Sequence, residues 1–186
     1  MTPTDTKPAE VGTPFWRFSL AIYARPEVAR ACLELQDTCA VDVNLLLFLL
    51  WLALDRRSLS ADAVRDLDGK VREWREAVIV PLRALRRTLK QSTPIAAEMA
   101  EPLRTKVKAL ELEAERLQQE TLYALAGTLP CETAPSSTLA AQRNIAAYRT
   151  VAGREFPATA IDVLLDALGH VDAGAFADGA APGPAR

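Results

Sequence analysis

The twelve residues from Val43 to Leu54, VNLLLFLLWLAL, carry no polar side chain after Asn44. As a helix this run measures about 18 Å, against roughly 30 Å of bilayer hydrocarbon, and Arg56 and Arg57 follow at once. It is too short to span a membrane, yet apolar on every side. Such a helix has to be surrounded by other helices. The sequence of 186 residues, long enough for one domain with a proper core, must therefore supply a helical shell around residues 42–55.

The shell is legible from caps and periodicity. Residues 1–13 are polar and Pro-containing, with no apolar stretch after a basic start, so they read as a disordered lead and not as a signal or transit peptide. Thr13 and Pro14 form a cap-plus-first-turn pair for the apolar FWRFSLAIYA. Pro26 restarts the chain, and Val28, Cys32, Leu35 and Cys39 make one stripe at helical spacing. Asp42 caps the apolar helix. Ser60 caps a long helix over 60–90, with Val71, Trp74, Val78, Leu82, Leu85 and Leu89 as its seam. Pro81 lies inside it and predicts a kink or break near Val78.

Thr93 and Pro94 offer another start, and Pro102 points to a real first turn there, with 94–101 as a separate short turn. The helix 102–126 carries the seam Leu103, Val107, Leu110, Ala114, Leu117 and Thr121, and two such helices joined by a short link predict an antiparallel pair. Residues 130–137 read as a loop, followed by helices from Ser137 or Thr138 to Gly153 and over 157–169. The Ala, Gly and Pro tail, residues 171–186, reads as disordered. No strand pattern of useful length occurs. The expectation is one all-α domain, residues 14–170: a bundle of about six to seven helices around the central apolar one.

The formal net charge of −2 gives no overall pull toward nucleic acid or anionic lipid. Cys32, Cys39 and Cys131 are odd in number and contain no CxxC. On one helix Cys32 and Cys39 lie about 10 Å apart, too far for a disulfide. They read as small buried hydrophobes in a reducing cytoplasm.

The segment FWRFSLAIYARPEVARACLELQDTCAVDVNLLLFLLWLAL, residues 15–54, resembles the signature of a bacterial family of conserved hypothetical proteins built on a domain of unknown function. The motifs are Phe15-Trp16, the YxxP step from Tyr23 to Pro26, CLxLQD at 32–37 and DVNLLLFxLWLA at 42–53. The stretch from Val80 to Arg83 with Arg86 and Arg87, and Glu111, Leu112 and Glu115, are similar to the family's weaker downstream pattern. The likeness covers roughly residues 14–125. Family members tend to carry glycine where this chain has Ala40, at the break before the core helix. The resemblance implies no activity, cofactor or catalytic residue.

Few constellations could carry chemistry. Asp37, Asp42 and Asn44 bracket the turn before the core helix; they could bind a cation or a substrate's polar group, or simply cap and close helices. Arg83, Arg86, Arg87 and Lys90 form a basic strip that could hold phosphate. Residues 56–90 carry a net charge of +5 and residues 91–135 a net charge of −3, so Glu111, Glu113, Glu115 and Glu120 could neutralise the strip across the helix pair.

Glu111 and Glu115 lack the Glu-x-x-His partners of a di-iron site, and the only histidine, His170, stands near the C-terminus. No nucleophile–base pair, metal set or phosphate loop is evident, so no catalytic residue, metal or cofactor is expected. Trp16, Trp51, Trp74, Phe15, Phe18, Tyr23 and Phe48 could line an apolar pocket or form core.

The leading expectation is a cytoplasmic, non-catalytic adaptor that binds an unknown protein partner, without a membrane span; weak nucleic-acid binding through the basic strip is a third reading, ranked last. The alternative is a small-molecule or anion site, possibly enzymatic, between Asp37, Asp42 and Asn44 and the strip of Arg83, Arg86, Arg87 and Lys90.

Overall fold

The computed structural model describes residues 12–91 and 97–176. The lead up to residue 11 and the tail 177–186, both expected to be disordered, and the expected start at Thr93 and Pro94 lie outside the described residues. Within them, the chain folds as an all-α single domain, a bundle of eight α-helices. These are α1 (Pro14–Tyr23), α2 (Pro26–Cys39), α3 (Val43–Leu54), α4 (Ala61–Trp74), α5 (Val80–Gln91), α6 (Ala97–Leu125), α7 (Ser137–Ala152) and α8 (Ala158–Gly169). No helix among the described residues is long and apolar enough to cross a membrane.

The residues Asn44 through Ala53 of α3 are all buried, and α1, α2, α6 and α7 surround it. Phe15 meets Phe48 edge-on at 5.1 Å between ring centroids, and Trp51 and Tyr123 lie 5.6 Å apart, closing the aromatic centre of the core. The caps form as the sequence implies. Thr13 Oγ1 accepts from Trp16 N, Asp42 Oδ1 from Asn44 N and Leu45 N, and Ser60 Oγ from Ala63 N. Ala40 caps α2 in the left-handed region at φ +54°, a conformation glycine takes without steric cost.

The far end of α3 is held by Asn144, fully buried on α7. Its amide donates to Leu49 O and Arg57 O, and its carbonyl accepts from Leu59 N. This clamp sets the turn into a two-residue antiparallel bridge, β1 (Arg57–Ser58) with β2 (Glu132–Thr133).

Pro81 does not interrupt the helix, but the irregularity expected near Val78 is there: residues Arg75–Ile79 form one π turn that joins α4 to α5 in one rod. Proline has no N–H for the carbonyl four residues back, and a widened turn accommodates the missing bond. The extra residue rotates what precedes and follows, burying Ile79 where Val78 was expected.

Three expectations are corrected. Helix α6 already includes residues 97–101, with Pro102 in its second turn, where only one backbone bond is lost. Its buried face is also different. Val107 and Ala114 are inside, but Leu103, Leu110 and Leu117 are exposed, and Glu111, Gln118, Gln119 and Leu122 take their place. On the partner rod, Trp74 and Leu85 are likewise exposed. The reason lies on α3: its N-terminal rim presents polar groups that an apolar face would leave unpaired. Finally, residues 171–176 are ordered by contact. They end in a 3-10 turn, Ala173–Phe176, whose Phe176 ring packs on Phe18 and whose carbonyl accepts from Trp51 Nε1.

Three substitutions test this packing by urea unfolding. Leu47→Ala or Leu49→Ala should lower stability by about 2–5 kcal/mol, because neither site can collapse; a loss under about 1 kcal/mol at both would contradict the burial. Ala40→Gly should raise stability by up to about 1 kcal/mol through relief of the left-handed residue; a clear loss would show that the cap is not left-handed in solution.

Candidate functional site

The polar rim of α3 is where buried charge and open space meet. The Asp42 backbone N–H donates to Tyr148 Oη at 2.8 Å. Its carboxylate caps α3 through Oδ1, while Oδ2 accepts from Arg75 Nη1 at 2.8 Å and Gln118 Nε2 at 2.5 Å. The same Arg75 nitrogen reaches Asp68 Oδ1 at 2.7 Å, and Arg72 holds the other Asp68 oxygen.

Burial pushes the Asp68 carboxyl upward, but Arg72 and Arg75 outweigh it and hold the group below the usual aspartate range. Burial likewise opposes the charge on Arg75, and its two carboxylates override that and raise it. Tyr148 is raised by burial, with the Asp42 charge adding to the effect.

From Asp42 a chain of amides runs inward. Gln118 Oε1 accepts from Asn44 Nδ2 at 2.9 Å, and Asn44 Oδ1 accepts from Gln119 Nε2 at 2.8 Å. Gln119 Oε1 has no partner. Gln119 is one of the residues lining a cleft of about 380 Å³ between α1, α2, the start of α3, α5 and α6. A second cleft of about 350 Å³ lies on the other side of the rim, where Asp37, Asp42, Asn44, Arg83 and Arg87 all contribute.

The basic strip proves to be largely paired across the α5–α6 hairpin. Arg83 Nε donates to Glu111 Oε1 at 3.0 Å, Arg83 Nη2 to Glu115 Oε1 at 2.5 Å, and Arg86 holds both Glu111 oxygens. Glu111 is buried; burial raises its pKa, and the two arginines more than reverse this. Glu115 ends up raised, by burial first and by Glu111 next to it. Arg87 leaves the hairpin to pair with Asp37 at 2.8 Å, both side chains about half exposed. Lys90 is exposed on the last turn of α5.

The residues singled out from sequence thus separate into two kinds. Asp42 and Asn44 belong to the buried relay; Asp37 belongs to a surface pair. Arg83 lines both clefts and Arg86 the larger one, each engaged by a glutamate. Arg75, Asp68, Gln118, Gln119 and Tyr148 were missed, as was Ser19, which lines the larger cleft and whose buried hydroxyl has no partner. The signal for some was present as a stripe at 107, 111, 114, 118 and 122, which shares Val107 and Ala114 with the apolar seam of α6 and runs one position beyond it at 111, 118 and 122. Among the aromatics, Phe15, Phe18, Phe48 and Trp51 are core, whereas Trp16 and Tyr23 line the larger cleft. His170 sits on the surface. Among the described residues no group of three His, Cys, Asp or Glu is placed to hold a metal.

The contrast between the two aspartates is measurable. Asp42→Ala should cost about 3–5 kcal/mol, since it removes a buried charge from Arg75 together with a cap. Asp37→Ala should cost under about 1 kcal/mol, as for an exposed pair; equal losses would contradict the division. Asp68 supplies a pH test. Its folded pKa is depressed, so its stabilisation is complete above the unfolded value near 3.8 and is lost as pH falls through the folded one. The stability gap between wild type and Asp68→Asn should therefore be constant near neutrality and close in acid. A gap that widens in acid would overturn the pairing.

No curated protein and no solved structure matches the chain. One family model does, over residues 14–122, more than half of the chain. The matched span holds the whole amide relay, Arg75, Asp68 and the lining of the larger cleft, and leaves out Tyr148. The chain therefore belongs to the family described as protein of unknown function (DUF2390).

Proposed function

We propose that the protein is a non-catalytic interaction factor that docks a partner protein on the outer face of the α5–α6 hairpin. One observation carries this reading. Leu103, Leu110 and Leu117 repeat every seven residues along α6 and are 52, 58 and 40% exposed, with Trp74 and Leu85 exposed on the adjoining rod. Single exposed leucines are ordinary, but a heptad-spaced row is the stripe that another amphipathic helix covers.

The flanks of this row carry their own ion pairs, Arg104 with Glu101 and Arg116 with Glu113 and Glu120. They leave no single-sign field for nucleic acid. The three cysteines are all free thiols, which supports a reducing, cytoplasmic setting.

A second reading places an anion or small molecule between Asp37, Asp42 and Asn44 and the basic strip, and is favoured by Arg83 sharing the smaller cleft with those residues. It is the weaker one. Arg83, Arg86 and Arg87 each already face a carboxylate, which a phosphate would have to displace.

The test is capture of a tagged full-length chain at native level, beside Leu110→Asp/Leu117→Asp and Arg87→Glu variants. Both leucines are exposed, so the double variant should unfold at the wild-type temperature. A protein partner held by wild type and Arg87→Glu but lost by the leucine variant is expected. A partner held equally by the leucine variant and lost by Arg87→Glu would sink the proposal in favour of the strip.

A further inference from the structure

The larger cleft lies on the opposite side of α6 from the leucine row, and its lining has two properties that belong together. Its mouth is apolar: Leu20, Tyr23, Leu33 and Leu112, all large and substantially exposed, border one opening. Scattered apolar exposure needs no explanation, but a cluster around a concavity marks a binding surface. Two of its lining residues, Ser19 and Gln119, are only 3 and 4% exposed, and each carries a buried polar atom without a partner, Ser19 Oγ and Gln119 Oε1. A buried polar group left unpaired is costly, and two on residues that line one cavity point to a ligand that satisfies them.

The polarity of the Gln119 atom is not arbitrary. The Asp42 carboxylate, paired with Arg75, can only accept, so Gln118 must turn its NH₂ toward it. The Gln118 carbonyl then has to accept from Asn44, and the Asn44 carbonyl from the Gln119 NH₂. Each amide is oriented by the one before it. The last one necessarily presents its carbonyl oxygen, an acceptor that asks for a donor.

Charge is balanced nearby, because Arg83 and Arg86 are held by Glu111 and Glu115. Lys108, also on the lining, is exposed and screened by water. An anionic head would set its lone pairs against the Gln119 oxygen. A cleft of about 380 Å³ falls in the range of small-molecule sites.

We propose that this cleft binds a small apolar molecule whose head is a neutral hydrogen-bond donor, as in a primary amide or an alcohol. The donor meets Gln119 Oε1, Ser19 Oγ supplies the second hydrogen bond, and the apolar body lies against Trp16, Leu20, Leu33 and Leu112.

The test varies the ligand, leaving the relay intact. Octanamide, N,N-dimethyloctanamide and octanoate are titrated into the ¹⁵N-labelled full-length chain. The Trp16 indole and Gln119 side-chain resonances are followed. Octanamide should give saturable shifts at both. Removing its two donors by dimethylation should weaken binding by about tenfold, the scale of one lost neutral hydrogen bond. Octanoate should bind more weakly than octanamide, and Leu112→Asp, an exposed position that leaves the fold intact, should abolish the octanamide shifts. The proposal is overturned if octanamide produces no saturable shift at these residues. It is also overturned if the dimethylated amide or octanoate binds as tightly, or if Leu112→Asp binds unchanged.

Discussion

The ion pair between Arg75 and Asp42 is the contact on which the rest of the architecture depends. From Leu45 to Leu54 the side chains of α3 are apolar but for the Trp51 indole N–H, so hydrophobic packing alone specifies its position along and about its axis only weakly. Directional demands come from its N-terminal rim, from Trp51, whose Nε1 donates to Phe176 O, and from the Leu49 carbonyl, which accepts from Asn144. Asp42 fixes that rim by capping α3, accepting from Arg75 and Gln118, and passing its backbone N–H to Tyr148. Three elements remote in sequence, the π turn, α6 and α7, are thereby tied to one helix end. The fully buried Asn144 does the same at the other end.

A buried polar rim has a consequence for the hairpin that covers it. Helix α6 cannot offer its leucines to Asp42 and Asn44 without stranding them, so it turns Glu111, Gln118 and Gln119 inward and leaves Leu103, Leu110 and Leu117 outside. The inner side, with Arg83 and Arg86 clamped by Glu111 and Glu115, borders the clefts. The outer side is an apolar row. One hairpin thus presents two chemically different surfaces, and the π turn that places Arg75 is what sets their orientation.

Much of this fold could be read from residues alone. Caps at Thr13, Asp42, Ser60 and the stripe on α2 are local signals, and the structure forms each of them. The apolar run from Val43 to Leu54 implied a surrounding shell without implying its members. The rotation of α6 was not legible, because periodicity assigns leucine to the interior and glutamine to solvent. That rule fails where a facing helix end needs hydrogen-bond partners. Arg75 was hidden for a different reason. Its inward swing depends on the extra residue that Pro81 induces one turn earlier, a backbone effect with no side-chain signature. The pairing of the basic strip with Glu111 and Glu115 was foreshadowed by complementary charge, but the split of Asp37 from Asp42 was not.

The side-chain amides of Asn44, Gln118 and Gln119 give the most direct measurement of the relay. Their proton exchange with solvent can be followed by NMR in the intact chain. If the relay exists as described, the NH₂ groups of Asn44 and Gln118 exchange far more slowly than a free glutamine amide, and Asp42→Ala releases all three together. Exchange at the free-amide rate in the wild-type protein, or release of one amide without the others, would contradict the claim that Asp42 anchors a single directed chain.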